Sequence, residues 1–284
     1  MNTAVAVPAA LLSAICFGGG SVLQHQAARQ ASRQESLRLR LLLDLARRPM
    51  WLAGMGLVTS SFALLGFALA FGPLVLVLPL AATDLLFALP LLAWRRRMPL
   101  THFAATGMVC TAGGVAMFLT ALPHSPAGAA VPSVRDWVPV LAAIGGVVAL
   151  LVPTGVSRRG RLRTALYAIC AALMLALLDS LTKSAAGLFR VDGFGAFSRW
   201  EPYSLIVVGA VGLVLSQSAY QAGSLAISLP IIDTLEPIGA VAIGIAVFGE
   251  QLASSVWALT VQALGAAMAV AGIALLGRSP LATA

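Results

Sequence analysis

The chain has 284 residues, of which 60% are hydrophobic and only 10% charged, with a mean hydropathy of +0.95. Soluble domains carry about 25% charged residues, so a soluble globular protein is excluded and a polytopic membrane protein is implied. The net charge of +8 and pI near 10.7 do not point to nucleic acid, because the basic residues form short clusters between apolar runs, where membrane orientation demands them.

About 20 apolar residues cross a bilayer as a helix. On that scale nine spans are expected, at roughly 4–24, 50–71, 73–94, 101–121, 137–156, 164–187, 202–222, 225–248 and 255–276. Span 1 is expected to be retained, since no cleavage site and soluble domain follow it. It holds Gly18, Gly19 and Gly20, each costing roughly 1 kcal/mol against alanine in a helix. That run either admits a close neighbour or unwinds the helix. Between spans 1 and 2 lies LRLRLLLDLARR, which reads as an interfacial helix with leucines toward lipid and arginines toward headgroups. Span 3 carries Pro73, Pro79, Pro90 and Asp84. Cys16, Cys110 and Cys170 fall within apolar runs, with neither metal-ligand nor disulfide spacing. Span 6 carries Asp179 and Lys183 at i and i+4, in the acid-first order that pairs on a helix, so a structural ion pair and a gating role are both open. Lys183 is also near enough to the span end to snorkel. Gln24 and Gln221, with Gln217, are polar positions in spans 1 and 7, suited to bonds between helices or to a substrate.

Span 8 and its continuation read LPIIDTLEPIGAVAIGIAVFGEQL, from Leu229 to Leu252. Asp233 and Glu236 lie well inside it, beside Pro230 and Pro237. A carboxylate at the centre of a span costs about 2.5–3.5 kcal/mol on insertion scales, and the i, i+3 spacing concentrates that cost on one face. Asp84, Asp233 and Glu236 have no basic residue at their depth. Two functional readings follow: a proton site that couples transport, or a cation site for a metal or an organic amine. Hydrogen bonding to backbone amides beside the prolines is the structural alternative. Glu250 closes the stretch and reads as a solvated helix-end charge. His25 and His102 stand at membrane edges and read as interface residues.

Fourteen of the 18 Lys and Arg residues fall in the first, third and fifth connections and the C-terminal tail; Arg135, Arg190 and Arg199 fall on the other side and Lys183 in a span. Positive charge marks the cytoplasm, so the N-terminus is expected outside and the C-terminus inside a cytoplasmic (inner or plasma) membrane.

An internal repeat is visible. ALAFGPLVLVLPLAAT (68–83) aligns with AYQAGSLAISLPIIDT (219–234) at an offset of 151 residues, matching Ala68/Ala219, Gly72/Gly223, Leu74/Leu225, Leu78/Leu229, Pro79/Pro230 and Thr83/Thr234. A second echo links SVLQHQAA (21–28) to SLTKSAAG (180–187). Span 1 then corresponds to 6, 2 to 7, 3 to 8 and 4 to 9, with span 5 as connector. A shift of five spans reverses direction, giving an inverted-topology pair of the kind found in secondary transporters, whose substrate sites use Gly- or Pro-interrupted helices near the midplane. Pro79, Pro230, Pro237 and Gly18–Gly20 are the expected helix breaks.

Catalytic signatures are missing: no HExxH, GxSxG or GxxxxGK[ST] occurs, so an enzyme and an ATP-driven pump are not expected, nor is a cofactor.

GSLAISLPIIDTLEPIGAVAIGIAVFGEQL resembles the second half of drug/metabolite transporter superfamily (EamA-like) proteins, where a proline-interrupted helix runs into a small-residue stretch ending in a Gly-Glu pair, here Gly249-Glu250. CFGGGSVLQHQAA, ALAFGPLVLVLPL and DSLTKSAAG are more similar to the NIPA-like branch. The resemblance implies a secondary transporter of two inverted repeats and, for NIPA relatives, magnesium or related divalent transport, with Asp233 and Glu236 as the metal candidates. The acid that often closes the equivalent helix of the first repeat is replaced by Arg95-Arg96-Arg97.

The sequence thus predicts an all-α polytopic membrane protein of about nine transmembrane helices. Its first repeat would occupy 1–121, its connector with span 5 122–163 and its second repeat 164–284. The expected function is secondary transport of a small cationic or amine-bearing solute, possible coupling being to protons. Divalent-cation transport is the alternative, and a non-transporting assembly or lipid-handling role the second. Expected partners are the lipid bilayer and the transported solute or cation; a homodimer is left open.

Overall fold

The structure is a computed structural model that describes residues 2–29, 49–97, 99–123, 128–129, 131–222, 225–253 and 255–277, without the side chains of 24–29, 96, 217, 220–221, 225–226, 229–230 and 277. The described residues are helical, with no strand among them. In chain order the helices are α1 (Thr3–Arg29), α2 (Pro49–Phe71), α3 (Leu74–Ala81), α4 (Asp84–Arg96), α5 (His102–Thr120), α6 (Val134–Ser157), α7 (Gly160–Asp192), α8 (Glu201–Ala222), α9 (Leu225–Phe248) and α10 (Val256–Gly277), with a 3-10 turn at Gly193–Ser198.

Among the described residues, eight helices are long and apolar enough to cross a membrane, counting α3 and α4 as one. The segment expected at 202–222 forms α8, a helix of 22 residues that is apolar over Glu201–Ser216. The interfacial helix expected between 26 and 49 lies outside the described residues. So do the side chains of Gln24, His25, Gln217, Gln221 and Pro230.

The helices alternate between two ends of the bundle. At one end the Asn2 amide donates to the Phe71 carbonyl and the Ala129 amide to that of Phe248; this is the Gly128 end. At the other stand Arg95, Arg97 and the Arg158–Arg163 cluster. The longest helix is α7, with 33 residues or about 50 Å at 1.5 Å per residue. It runs through the centre of the core, packing on α8, α9, α6 and α2.

Two expected helix breaks are corrected. α1 is continuous through Gly18, Gly19 and Gly20, because the missing side chains are used for close approach. A Cβ on Gly18 would lie 2.5 Å from the Asp84 carbonyl, and one on Gly20 2.8 Å from that of Gly54. α9 is likewise continuous through Pro230 and Pro237; a proline removes one helical hydrogen bond, and the neighbouring turns hold the helix together. The interruption falls instead between α3 and α4. Pro79 sits inside α3, and four residues later the Thr83 amide and hydroxyl both turn onto the Leu80 carbonyl, at 3.1 and 2.6 Å. Asp84 then opens α4, where a negative charge complements the helix N-terminus.

Helices α5 and α10 interlock through glycines, as helices in lipid do when they lack side chains at the crossing. A Cβ on Gly265 would lie 2.7 Å from the Phe118 amide nitrogen, and Gly114 and Gly272 face Ala269 and Thr111 as closely.

Candidate functional site

The α3–α4 break opens one wall of a cavity of about 240 Å³ lined from α1, α2, α3, α4, α7, α9 and α10. Four carboxylic acids reach it: Asp84 from the break, Asp179 from α7, and Asp233 and Glu236 from one face of α9. These residues are as much as 152 positions apart in sequence, between Asp84 and Glu236, and the fold brings all four together. No Lys, Arg or His lines the cavity among the described residues. Ser13 of α1 and Ser61 of α2 supply hydroxyls, joined by a 3.0 Å hydrogen bond. Phe17, Phe62, Leu65 and Leu78 supply apolar wall.

The acids act on one another. Asp179 and Glu236 stand close enough to act on each other, and two carboxyl groups can bond to one another only with a proton on one of them, because a carboxylate has no donor. Asp233 and Asp84 stand close enough for their charges to interact, and both act on Glu236. The second oxygen of Asp179, Oδ2, is buried without a hydrogen-bond partner. Such a group is costly in a low-dielectric setting unless something compensates it. Yet no group of three or more acidic, His or Cys side chains among the described residues is arranged to hold a metal ion.

Lys183 does not join this set. The pairing with Asp179 expected from the i, i+4 spacing is corrected: Lys183 forms an ion pair with Glu250 instead, while Asp179 turns to the cavity. Lys183 does not snorkel, being 4% exposed, and Glu250 is not a solvated helix-end charge, being 2% exposed. The Glu250 carboxylate also accepts from the amides of Leu74 and Val75, at 2.7 and 2.9 Å. These are the first amides of α3, which have no partner within the helix, so an anion there is stabilised by both the free donors and the helix dipole. Local geometry delivers Glu250: α9 ends at Phe248, Gly249 takes a positive φ of 66°, and the Glu250 amide turns back to the Gly244 carbonyl at 3.1 Å. Gly244 is itself required, since a Cβ there would lie 2.6 Å from Glu250 Oε2. Lys183 Nζ lies 4.2 Å over the Phe248 ring, against which the Trp137 ring stands edge-on.

Sequence reasoning named the four cavity acids and Lys183 but missed the role of Glu250. The signal was a simple one: Lys183 and Glu250 belong to the same end of the chain's zigzag, and a lone intramembrane lysine needs an acid.

No family model matches the chain, and no solved structure matches it. An uncharacterized protein of Corynebacterium glutamicum is 31% identical over 261 residues, covering 89% of this chain and 88% of the relative.

Proposed function

We propose, for a chain that belongs to the same family as the uncharacterized Corynebacterium glutamicum protein, that it is a secondary transporter of a small cationic or amine-bearing solute. The observation that carries this reading is the cavity into which four acids and no described base project. Buried acids in membrane helices mark ion and substrate paths, and a net negative lining selects positive charge. A proton held between the neighbouring Asp179 and Glu236 carboxyls would be displaced by an arriving cation, which is the element proton coupling needs. Apolar walls beside the acids, with room for about 240 Å³, suit a compact organic cation. Divalent-cation transport is the weaker reading, since Mg²⁺ demands near-octahedral oxygen ligands and the acids are not gathered for a metal.

The inverted-repeat reading is supported by element boundaries. Helix α2 ends at Phe71 and α8 at Ala222, α3 begins at Leu74 and α9 at Leu225, and both pairs keep the 151-residue offset of the sequence match. The packing also corresponds, α1 lying chiefly on α2 and α7 on α8. The resemblance to drug/metabolite transporters, with nine spans, N-terminus outside and a site in the cytoplasmic membrane, fits this arrangement. The Gly128 end is then the outer one, because the arginine clusters occupy the other.

Proteoliposome flux tests the proposal, with and without a pH gradient, for Mg²⁺ and a panel of amines, using the natural chain and Asp233→Asn. Amine-dependent flux that the substitution abolishes is expected. Unchanged flux in Asp233→Asn overturns the site, and no flux of any panel member by the natural chain overturns the transporter.

A further inference from the structure

Three elements give the same order along the bundle. On α7, Asp179 lines the acidic cavity, Lys183 follows one turn later, and Gly187 and Arg190 line a separate small cavity of about 40 Å³. On α2, Leu65 lines the acidic cavity, and Leu69 and Ala70 line the small one. On the third element, Gly72 lines the small cavity, Leu74 and Val75 hold Glu250, and Leu78 lines the acidic cavity. In each case the Lys183–Glu250 pair or its level lies between the two cavities, and the small one belongs to the Gly128 end.

We propose that the Lys183–Glu250 pair, clamped on the N-terminus of α3, is the gate that seals the acidic cavity from the Gly128 end. As a gate it presupposes the transporter reading above; as a seal it does not. The pair is suited to the task because it ties three separate pieces of the fold: α7 through Lys183, the segment after α9 through Glu250, and the short helix α3 through two amides. The Glu250 side chain bonds the last two together. α3 is eight residues long and ends at the Ala82–Thr83 break, so it can pivot at one end when released at the other. The small cavity is built around absent side chains. A Cβ on Gly72 would lie 2.7 Å from that of Ala6, and Gly128 packs directly on the Phe248 carbonyl. Space is thereby left over the pair from the end that has to open. Breaking the pair uncovers Lys183 beside that space and Asp179 one turn, about 6 Å, below it. Lys183 and Asp179 share a helix face at i, i+4, so a released Lys183 has an acid within reach. A cation already seated on Asp179 denies it that partner and returns it to Glu250. Occupancy of the cavity therefore favours closure of this end.

The test is thiol labelling of the full chain in membrane vesicles. Cys16, Cys110 and Cys170 are replaced by alanine, and Leu65→Cys reports on the acidic cavity. Phe194→Cys, at a residue 90% exposed at the Gly128 end, reports which face a membrane-impermeant maleimide reaches. From that face, labelling of Leu65→Cys is expected to accelerate about tenfold in Lys183→Met and in Glu250→Gln, as for an equilibrium moved from closed toward open. The double variant Lys183→Met/Glu250→Gln leaves no unpaired buried charge and decides the matter if a single variant fails to fold. Labelling at the parent rate in the folded variants overturns the seal. Because labelling needs no transported solute, accelerated labelling without any flux leaves the seal standing and removes the transporter, whereas flux with unchanged labelling removes the seal alone.

Discussion

Two sets of acids, one buried and one buried or half-buried around a cavity, meet α7 one helical turn apart, and the fold treats them in opposite ways. Glu250 is surrounded by donors of the chain itself: two amides of α3 and the Lys183 ammonium. Asp84, Asp179, Asp233 and Glu236 face an open cavity, with one another as their charged neighbours and one Asp179 oxygen without a partner. Both arrangements hold carboxyl groups within spanning helices, wholly or partly away from water. Only in the first is the desolvation offset from within. The first therefore behaves as structure, and the second waits on something that the chain does not provide, a proton or a cation. Burial of charge alone does not distinguish a site from a strut; the origin of the compensating group does.

The comparison is most exposed to Glu250→Ala, which strands a buried lysine and two helix-terminal amides. Removing one partner of a buried pair costs about 3–5 kcal/mol, so thermal unfolding of purified protein in detergent should show a large fall in midpoint. Asp179→Asn and Asp233→Asn should leave that midpoint unchanged or raise it, while abolishing flux. If the two sets move stability alike, the distinction collapses. Next in size is the charge-swapped Lys183→Glu/Glu250→Lys, which restores an ion pair but presents an ammonium to the Leu74 and Val75 amides. Its unfolding midpoint should remain near that of Glu250→Ala, and full recovery would show the helix N-terminus to be irrelevant. Gly244→Ala, whose new methyl meets Glu250 Oε2, should cost about 1–3 kcal/mol, the usual penalty of overpacking, in the same assay. The smallest effect belongs to Ser13→Ala, which deletes the bond to Ser61 and should cost about 1 kcal/mol with flux retained.

Most helix boundaries were legible in the sequence because a membrane span is a local property. The expected 225–248 became Leu225–Phe248 and the expected 50–71 became Pro49–Phe71. The site was half legible. Intramembrane acids announce themselves by cost, so Asp84, Asp179, Asp233 and Glu236 stood out without a structure. Their company did not: Glu250 meets Leu74 across 176 residues and Lys183 across 67, and no periodicity encodes such a meeting. The i, i+4 rule drew Lys183 to Asp179 because it counts only neighbours on one helix. The breaks misled for a similar reason. Proline and glycine report what a backbone lacks, whereas Gly18–Gly20 serve a neighbour's approach, and the real interruption needed a threonine hydroxyl folded back on its own chain.

The length of α7 has a consequence for the lipid. About 50 Å of helix exceeds the roughly 30 Å of hydrocarbon in an ordinary bilayer, so α7 must tilt or stand with its ends among the headgroups. Arg161 and Arg163 mark one end and Arg190 the other, leaving a fixed distance between two charged belts. Asp179 and Lys183 ride on the same rod, so a thinner or thicker bilayer changes the angle at which both are carried. Acyl-chain length thereby becomes a setting of the protein, and flux compared across lipids of graded chain length should pass through an optimum.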